Sequence, residues 1–262
     1  MIKQAIIPLA GLGTRLLPLT SVFAKELLPL NGKPGLEYIL EECIDAGIKE
    51  IIFIISKRKM MIKKELIKKK KDTRVISEYK KILKYRKMIK FVYQNKPKGT
   101  GDAVLKTMKY IKDKYFLMLL PDDLIIKKNC SKSMIISHKK YKASVMASMS
   151  VKKKSVERWG IYKLTKKFNK TDYLIDSVVE KPNTKDAPSN KAVIGRYILS
   201  NKIFSKLKNL KPSKSGEIHI TDAIQLLIND NEKFIAHNFS GKYLDCGSME
   251  GYINSSKEIA KL

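Results

Sequence analysis

The sequence predicts an α/β protein with a mixed, mainly parallel central sheet that is flanked by helices. Three observations support this prediction. The chain opens with a strand, a loop, a helix and a second strand, which is the usual beginning of a parallel sheet. The second of these strands, Glu50–Ser56, contains an unbroken apolar run, as expected of a strand that is covered on both faces. Finally, 44% of the 262 residues are hydrophobic, which is enough for a substantial core.

The first strand and the first helix are the clearest elements. Lys3 to Leu9 is a short apolar strand that runs into a glycine-rich turn. Pro34 to Ala46 is predicted to be a helix, because Pro34 suits a first helical turn and Gly47 suits the stop. Its apolar residues recur at helical spacing and predict one buried face: Leu36, Ile39, Leu40, Cys43 and Ile44.

The alternation of strands and helices continues along the chain. Further strands are predicted at Phe91–Gln94, Tyr115–Leu120 and Ala143–Val151, and a last strand leads to Asp245. A small additional β region is predicted from three shorter strands: Gly160–Leu164, Ser177–Glu180 and Ala192–Leu199. Helices are predicted at Gly101–Ile111, Ser133–Lys140, Asn201–Leu207 and Thr221–Asn229, and from about Ser248. The lysine-dense segment from Lys57 to Lys90 is interpreted as solvated helix and loop.

The formal charge of +29 has two interpretations. A basic protein can bind nucleic acid, but only six of its 54 basic residues are arginine, which is the residue best suited to bidentate phosphate and guanine contacts. A compositional bias toward lysine explains the charge without such a partner. We therefore expect no specific nucleic-acid partner, although the excess of lysine should attract anionic substrates.

The three cysteines, Cys43, Cys130 and Cys246, are scattered along the chain and lack the spacing of a metal site. This pattern argues against a disulfide framework and a zinc site, and it favours a reducing, cytoplasmic location. No apolar run approaches the length of a membrane span, so no membrane partner is expected.

A glycine-rich loop follows the first strand. Gly11 and Gly13 would let backbone N–H groups approach phosphate oxygens closely, and Arg15 and Lys25 would add positive charge. Leu16 stands where a dinucleotide fingerprint needs its third glycine, and no Gly-Lys-Ser/Thr triplet completes a P-loop. On these residues alone, a tight turn without a ligand remains an equally good interpretation.

Several short segments of the chain resemble the signature of the sugar-phosphate nucleotidyltransferase family. The first two are Gly11-Leu-Gly-Thr-Arg-Leu-Leu-Pro18 and Ala24-Lys-Glu-Leu-Leu-Pro-Leu30, and the Lys-Glu-Leu-Leu-Pro form is similar to the bacterial branch that uses UTP and glucose 1-phosphate. The resemblance continues in order through Gln94 with Gly99-Thr-Gly101, Leu120-Pro-Asp122, Val179-Glu-Lys-Pro182, Ile194-Gly-Arg-Tyr197, Gly216-Glu-Ile-His-Ile-Thr-Asp-Ala223 and Asp245-Cys-Gly247. Each segment alone is a weak signal, but their common order and spacing make a strong one.

The resemblance implies a Rossmann-like nucleotide-diphospho-sugar transferase fold in a single domain, residues 1–262. Residues 1–151 would form the nucleotide-binding half, and residues 152–262 the sugar-phosphate-binding half with a C-terminal helix. The implied reaction converts UTP and glucose 1-phosphate into UDP-glucose and pyrophosphate. An enzyme of the same fold that uses dTTP or another sugar 1-phosphate is the alternative. A homo-oligomer, either a dimer or a tetramer, is also implied.

The implied reaction needs no covalent nucleophile, because a phosphate oxygen already carries the attacking charge. The protein has to align two anions and neutralise their repulsion. The implied cofactor is Mg²⁺, held by Asp122, at the end of a predicted strand, and by Asp245. The implied catalytic residues are Arg15, Lys25, Asp122 and Lys181. The implied nucleotide-binding residues are Ala10, Gly11, Gly13, Thr14, Arg15, Lys25, Gln94 and Gly99, and the amide of Gln94 would read a donor and an acceptor on uracil.

The implied sugar-phosphate site consists of Gly160, Glu180, Lys181 and Gly195. The Glu180 carboxylate would accept hydrogen bonds from vicinal hydroxyls, and Lys181 would pair with the sugar phosphate. Neighbouring residues of a strand face opposite sides, so a bend is expected before Pro182. Gly160 and Gly195 would offer backbone groups near the sugar. Trp159 would either stack near the sugar or pack in the core, and His138, His219 and His237 are interpreted as ordinary structural or surface residues.

The chain departs from the family pattern at two places near the nucleotide. The usual Gly-Leu-Gly-His is Gly99-Thr-Gly-Asp102 here, so a carboxylate would either lie near the nucleotide or cap the following helix. Ala24 also replaces the usual proline. An inactive regulatory protein of the same fold is a further alternative, but the intact Arg15, Lys25 and Asp122 argue against it.

Overall fold

A computed structural model of the chain describes residues 1–67, 85–213 and 216–261. Within these residues the strands are β1 (Gln4–Pro8), β2 (Pro29–Leu30), β3 (Lys33–Pro34), β4 (Glu50–Ile55), β5 (Ile89–Tyr93), β6 (Tyr115–Leu119), β7 (Asp123–Ile126), β8 (Ser144–Ser150), β9 (Gly160–Lys167), β10 (Asp172–Glu180), β11 (Lys191–Ser200), β12 (Phe234–Asn238) and β13 (Lys242–Asp245).

The helices of the same residues are α1 (Leu19–Val22), α2 (Gly35–Asp45), α3 (Met60–Ile67), α4 (Gly99–Leu105), α5 (Cys130–Tyr141), α6 (Ile203–Asn209), α7 (Ile220–Asn229) and α8 (Met249–Ile259). Side chains cap two of them, since Asn129 accepts from the Lys132 N–H at the start of α5 and Ser248 accepts from the Gly251 N–H at the start of α8. No described helix has both the length and the apolar character that crossing a membrane requires.

Among the described residues, nine strands form one sheet in the order β5-β4-β1-β6-β11-β8-β12-β10-β9. The pairs from β5 to β6 are parallel, and so is the pair of β8 with β12. The other neighbours in this order are antiparallel. The predicted α/β class with a mixed central sheet is confirmed, and its parallel part is mostly the N-terminal part. Strands from both predicted halves of the chain belong to this one sheet.

The sheet separates two hydrophobic cores. Ala5 and Ile7 of β1 contribute to one core, while Ile6 between them contributes to the other, as the alternation of a strand requires. Helices α2, α5 and α8 cover the first face, and helices α4, α6 and α7 cover the second. Residues 5–7 of β1 and 51–55 of β4 are fully buried because both faces are covered, which confirms the interpretation of the apolar run in β4.

The helix predicted at Gly101–Ile111 is displaced. It begins at Gly99 and ends at Leu105, and turns follow it. The Thr107 hydroxyl and its N–H both bond to the Val104 carbonyl, at 2.7 and 2.9 Å, so the chain tightens into turns after α4. The prediction that this helix continues beyond Leu105 to Ile111 was therefore wrong.

Strands β2, β3, β7 and β12 were missed, and β9 and β10 were predicted too short, since β9 continues past Leu164 to Lys167. Strand β12 is a short segment between β8 and β10, and β7 pairs with β13 in a separate two-stranded ladder. Strand β10 starts at Asp172 rather than Ser177, with irregular pairing near Ile175. Of the predicted lysine-dense segment, α3 and the residues from 85 onward are described, and the remainder lies outside the described residues.

A buried polar cluster joins strands β10 and β12 to helix α5. The Asp172 carboxylate lies 2.7 Å from His237 Nδ1, and it accepts from Asn169 Nδ2 at 2.7 Å and from the Ser137 hydroxyl at 3.1 Å. Burial would raise the pKa of Asp172, but the hydrogen bonds from His237 and Asn169 outweigh it and lower the pKa. The interpretation of His237 as a structural residue agrees with this position.

We predict that Asp172→Asn lowers the free energy of unfolding at pH 7 by about 3 kcal/mol, because it removes a buried carboxylate that accepts hydrogen bonds from Asn169 and Ser137. Since the pKa of Asp172 is lowered on folding, this contribution is present above the ordinary carboxyl pKa, about 4, and is lost as the pH falls through the folded value. Urea unfolding of both proteins between pH 3 and pH 7 would measure the difference.

Asp176→Asn is the matched control, since Asp176 pairs with Lys163 on the surface, where 40% and 60% of the two side chains are exposed. We expect it to change stability by less than about 1 kcal/mol. A difference for Asp172→Asn that is small, or that does not shrink in acid, would contradict the role assigned to this cluster.

Candidate active site

A cavity of about 510 Å³ opens at the carboxyl ends of the parallel strands. Strands β1, β5 and β6 end beside it, because these strands run parallel and their ends meet at one edge of the sheet. Residues predicted to bind the nucleotide line this cavity: Ala10, Gly11, Gly13, Thr14, Lys25, Gln94 and Gly99. Asp122, predicted to hold the metal, lines it as well. The structure thus brings together residues that are far apart in the sequence.

The glycine-rich loop forms one wall of the cavity. Gly13 has a φ of 72°, a left-handed conformation that glycine adopts without a steric penalty. Its carbonyl accepts from the Leu16 N–H at 2.9 Å and from the Thr20 hydroxyl at 2.8 Å, which fixes the turn. At Gly11, a Cβ would have no neighbour within 4 Å, so the backbone there is open to a ligand.

Asp122 and Lys25 form a close ion pair at the cavity. Lys25 Nζ donates to Asp122 Oδ2 at 2.6 Å, and Arg15 Nη2 lies 3.7 Å from the same oxygen. Burial alone would lower the pKa of Lys25, but the carboxylates of Asp122 and Glu26 outweigh it and raise the pKa. Burial also opposes ionisation of Asp122, yet Lys25 and Arg15 hold the pKa of its carboxyl below the usual range. Both groups are therefore charged at neutral pH.

Asp123 lies beside Asp122 but faces the interior. Its carboxylate accepts from the Tyr243 hydroxyl at 2.6 Å and from the Gly195 N–H at 2.8 Å. Burial and the neighbouring charge of Asp122 raise the pKa of Asp123. The two adjacent aspartates therefore have different roles. Asp122 lines the cavity and is available to a ligand, whereas Asp123 connects strands β11 and β13 through Gly195 and Tyr243.

Asp245, the second predicted metal ligand, lies at the end of β13, near Asp122. A Cβ on Gly247 would lie 2.9 Å from Asp122 Oδ2 and 3.3 Å from Asp245 Oδ1, so both carboxylates border one point that no side chain fills. Arg15 Nη2 is 2.9 Å from the same point. Asp245 also accepts from the Gly247 N–H at 2.8 Å, which orients its carboxylate. Among the described residues, no group of three or more His, Cys, Asp or Glu residues is placed to hold a metal.

Gln94 is buried at the base of the cavity, directly after β5. Its amide nitrogen donates to Asp102 Oδ2 at 2.8 Å and to the Gly99 carbonyl at 3.1 Å. The prediction that this amide reads both a donor and an acceptor on a base needs correction, because both of its N–H groups are already used. Asp102 does not cap helix α4. Its carboxylate contacts Gln94 instead.

Gly99 must be a glycine for two reasons. It has a φ of +89°, and a Cβ there would lie 2.5 Å from the Ile218 carbonyl oxygen. The same neighbourhood contains two backbone hydrogen bonds between the two segments: Gly101 N–H to the Ile218 carbonyl at 2.8 Å, and Ile218 N–H to the Lys98 carbonyl at 2.9 Å. The loop that carries Gly99 is therefore held against the segment that leads into α7.

Three of the four predicted sugar residues, Gly160, Glu180 and Lys181, lie together and are at least partly exposed. Gly160 and Glu180 pair across strands β9 and β10, and a Cβ on Gly160 would lie 3.0 Å from Glu180 Oε2. The expected bend is present, since Lys181 has a φ of 45° and its N–H donates to the Trp159 carbonyl at 3.0 Å. The ring of Trp159 packs edge-on against Tyr243, with centroids 5.5 Å apart.

Gly195 has a different environment from the one expected. Its N–H donates to Asp123, and its carbonyl accepts from the Leu120 N–H at 2.8 Å and from Arg196 Nη1 at 3.0 Å. These backbone groups are therefore not free to bind a sugar in this structure. The glycine is required by close packing, because a Cβ would lie 2.5 Å from Asp123 Oδ2.

The structure adds residues that the sequence interpretation did not assign to the site. The cavity is also lined by Leu12, Thr100, Pro121, Glu217 and His219. His219 was interpreted as an ordinary residue, although it lies in a segment that matches the family signature. Gly247 was also part of a matched segment, Asp245-Cys-Gly247, and that match was the signal that could have identified it.

The sequence matches the model of the Nucleotidyl transferase family over residues 4–261. It is 35% identical over 282 residues to UTP–glucose-1-phosphate uridylyltransferase 2 of Streptococcus pyogenes serotype M3, covering 99% of this chain and 90% of that protein. A crystal structure of a UDP-glucose pyrophosphorylase in complex with UDP-glucose is 36% identical, with a TM-score of 0.90, covering 100% of this chain and 99% of the other. A UTP-bound enzyme of the same kind from Acinetobacter baumannii is 32% identical, with a TM-score of 0.86, covering 98% and 93%.

We predict that Gly99→Ala destabilises the fold and that Gly11→Ala does not. At Gly99 the substitution forces a left-handed alanine against a backbone carbonyl, which we expect to cost about 2 kcal/mol. At Gly11 the new methyl group meets no neighbour, so the free energy of unfolding should change by less than about 0.5 kcal/mol. Urea unfolding of both variants measures the difference, and equal losses would contradict the close approach of Gly99 to Ile218.

Proposed function

We propose that this chain, which belongs to the nucleotidyl transferase family, transfers a uridylyl group from UTP to glucose 1-phosphate. The products are UDP-glucose and pyrophosphate. One observation carries this proposal: the Lys25–Asp122 ion pair lies in a cavity that the glycine-rich loop and Gln94 also line. Such a cavity offers backbone groups and cations to a triphosphate at one side and an amide to a base at another.

The proposed reaction is an in-line displacement at the α-phosphorus of UTP. A phosphate oxygen of glucose 1-phosphate forms a bond to that phosphorus, and the bond from phosphorus to the oxygen shared with the β-phosphate breaks. Pyrophosphate leaves with that electron pair, so no proton transfer is needed to start the reaction. The main task of the protein is to hold two anions in line and to balance their charge.

Lys25 is the residue best placed to balance charge on the α-phosphate. Its ammonium is charged at neutral pH, since Asp122 raises its pKa, and only 14% of its side chain is exposed. A cation that is held in advance in a partly dry site stabilises developing negative charge more strongly than one in water. Arg15 is 70% exposed, so its guanidinium is free to move toward the outer phosphates.

The residues present fit a bound Mg²⁺. Asp122 and Asp245 border one unfilled point, and Mg²⁺ usually takes one or two carboxylates together with phosphate oxygens and water. Asp122 and Asp245 would hold the ion. When bound, the ion would neutralise charge on the phosphates. Lys25 and Arg15 would leave part of their present contact with Asp122 and turn toward the triphosphate.

The sugar phosphate is proposed to bind at Gly160, Glu180 and Lys181. Glu180 would accept hydrogen bonds from sugar hydroxyls, with Gly160 leaving room beside its carboxylate. Lys181, at the bend, would direct its ammonium to the phosphate. Because the Gly195 backbone is already bonded, we propose that this glycine acts by letting Asp123 and Leu120 pack closely.

The cellular setting is also part of the proposal. The three cysteines are free in the structure, in agreement with the reducing cytoplasm that we propose as the location. A dimer or tetramer remains a prediction, which sedimentation velocity of the purified chain would test.

The main test offers the purified protein UTP and dTTP, each with several sugar 1-phosphates, and measures pyrophosphate release. We expect UTP with glucose 1-phosphate to give the highest kcat/KM, and equal or better use of dTTP would contradict the proposal.

Lys25→Met should lower kcat by about 100- to 1000-fold, because it removes a preorganised cation. Lys163→Met, which removes a lysine that is 60% exposed on β9, is the control and should leave kcat unchanged.

Removing divalent metal should abolish turnover, and added Mg²⁺ should restore it. Asp245→Asn should raise the Mg²⁺ concentration for half-maximal activity by about tenfold or more, since it weakens one of two proposed ligands. Asp230→Asn, which changes an exposed aspartate paired with Lys206, serves as the control. Full turnover in the presence of a strong chelator would rule out the metal.

A further inference from the structure

The orientation of the Gln94 amide is set by the protein itself. The backbone N–H of Gln94 donates to the Ile55 carbonyl at 2.9 Å, and its side chain is buried, with 4% of the residue exposed. The amide nitrogen faces two oxygen atoms, Asp102 Oδ2 at 2.8 Å and the Gly99 carbonyl at 3.1 Å. A reversed amide would place its own oxygen against both, so that orientation is excluded by repulsion.

The same contacts determine what Gln94 can offer to a ligand. A glutamine amide has two N–H donors and one carbonyl acceptor. Asp102 and the Gly99 carbonyl together use both donors. The amide carbonyl is therefore the group that remains for a molecule in the cavity, which Gln94 lines.

Asp102 acts on this geometry from behind the cavity. It lies in the first turn of α4 and is 9% exposed. Among the described residues, Gln94 and Gly99 line the cavity, but Asp102 does not. Its other carboxylate oxygen lies 3.6 Å from the Lys106 ammonium, one turn further along the helix. A carboxylate only accepts hydrogen bonds, so Asp102 allows a single orientation of its partner amide, which an asparagine in its place would not.

We propose that Asp102 is a positioning residue that sets base preference by holding the Gln94 carbonyl toward the nucleotide. This inference rests on the proposed function, because it concerns the base of the same substrate. Uracil in a nucleotide offers one ring donor, the N3–H, and it would meet this carbonyl. Cytosine presents an unprotonated N3 at that position, which a fixed carbonyl repels. Thymine has the same N3–H as uracil, so this device separates UTP from CTP and does not separate UTP from dTTP.

The sharpest variant is Asp102→Asn, which keeps the shape of the side chain. Its amide can either accept from Gln94 or donate to it, so only the Gly99 carbonyl still opposes reversal of the Gln94 amide. Reversal, which would offer an N–H to cytosine, therefore becomes less costly. We expect the ratio of UTP affinity to CTP affinity to fall by about tenfold, the effect of one hydrogen bond made or lost. Titration calorimetry with UTP and with CTP, each in the presence of Mg²⁺, measures both dissociation constants.

Two further proteins separate positioning from simple structural support. Lys106→Met removes a group that touches Asp102 from the outer side and should leave the UTP-to-CTP ratio unchanged. In a Gln94→Ala background, Asp102→Asn should cause no further change in the ratio, because Asp102 acts through Gln94. Additive effects of the two substitutions, or an unchanged ratio in Asp102→Asn, would overturn the inference.

The binding measurements also distinguish this inference from the proposed function. If the chain prefers UTP over CTP through Asp102 but releases no pyrophosphate with glucose 1-phosphate, the proposed reaction fails and the inference stands. If it is active but its base preference does not depend on Asp102, the inference alone fails. A wild-type protein that binds UTP and CTP equally also overturns the inference.

Discussion

The buried ion pair of Arg196 and Glu42 is the interaction on which the site depends most. Arg196, on β11, is fully buried, and its guanidinium bonds Glu42 of α2 through Nε and Nη2, at distances from 2.9 to 3.1 Å. Its Nη1 reaches the carbonyl of Leu120, two residues before Asp122. Removing these charges from water is costly, and the pair persists because nearly every donor and acceptor is satisfied, including the Ser131 hydroxyl on Glu42. The end of β6, and with it Asp122, is thereby held in place.

Asp122 and Asp123 are adjacent in the chain, but their carboxylates have different partners. Two adjacent carboxylates repel each other, and the fold resolves this by giving each a different set of partners. Asp123 is turned inward to Tyr243 and Gly195, and burial together with Asp122 raises its pKa. Asp122 is turned to Lys25, which keeps it charged despite burial. Such opposed environments for neighbouring acids are typical of sites where one group must meet a charged ligand.

The part of the cavity that Gln94 and Gly99 line links close packing to the specificity that we propose. The loop at Gly99 is joined by backbone hydrogen bonds to the segment around Ile218, and that contact requires a glycine with a positive φ. The Gly99 carbonyl then helps to orient Gln94, with Asp102 as the second partner. A position that differs from the family pattern, Asp102, therefore lies behind Gln94, the residue that we propose faces the nucleotide, where it would alter base preference without touching the substrate.

The sequence by itself determined most of the order of strands and helices, the turn at Gly11 and Gly13, and the position of Asp122 after a strand, because these follow from local periodicity and turn chemistry. It also predicted the bend at Lys181 from the proline that follows. Only the tertiary structure decided which way Gln94 and Gly195 direct their polar groups and that the short strand β12 joins the sheet. These features depend on partners distant in sequence, such as Gly195 and Asp123, which are 72 residues apart. Hydrogen-bond satisfaction between such partners is set by packing, which no local pattern encodes.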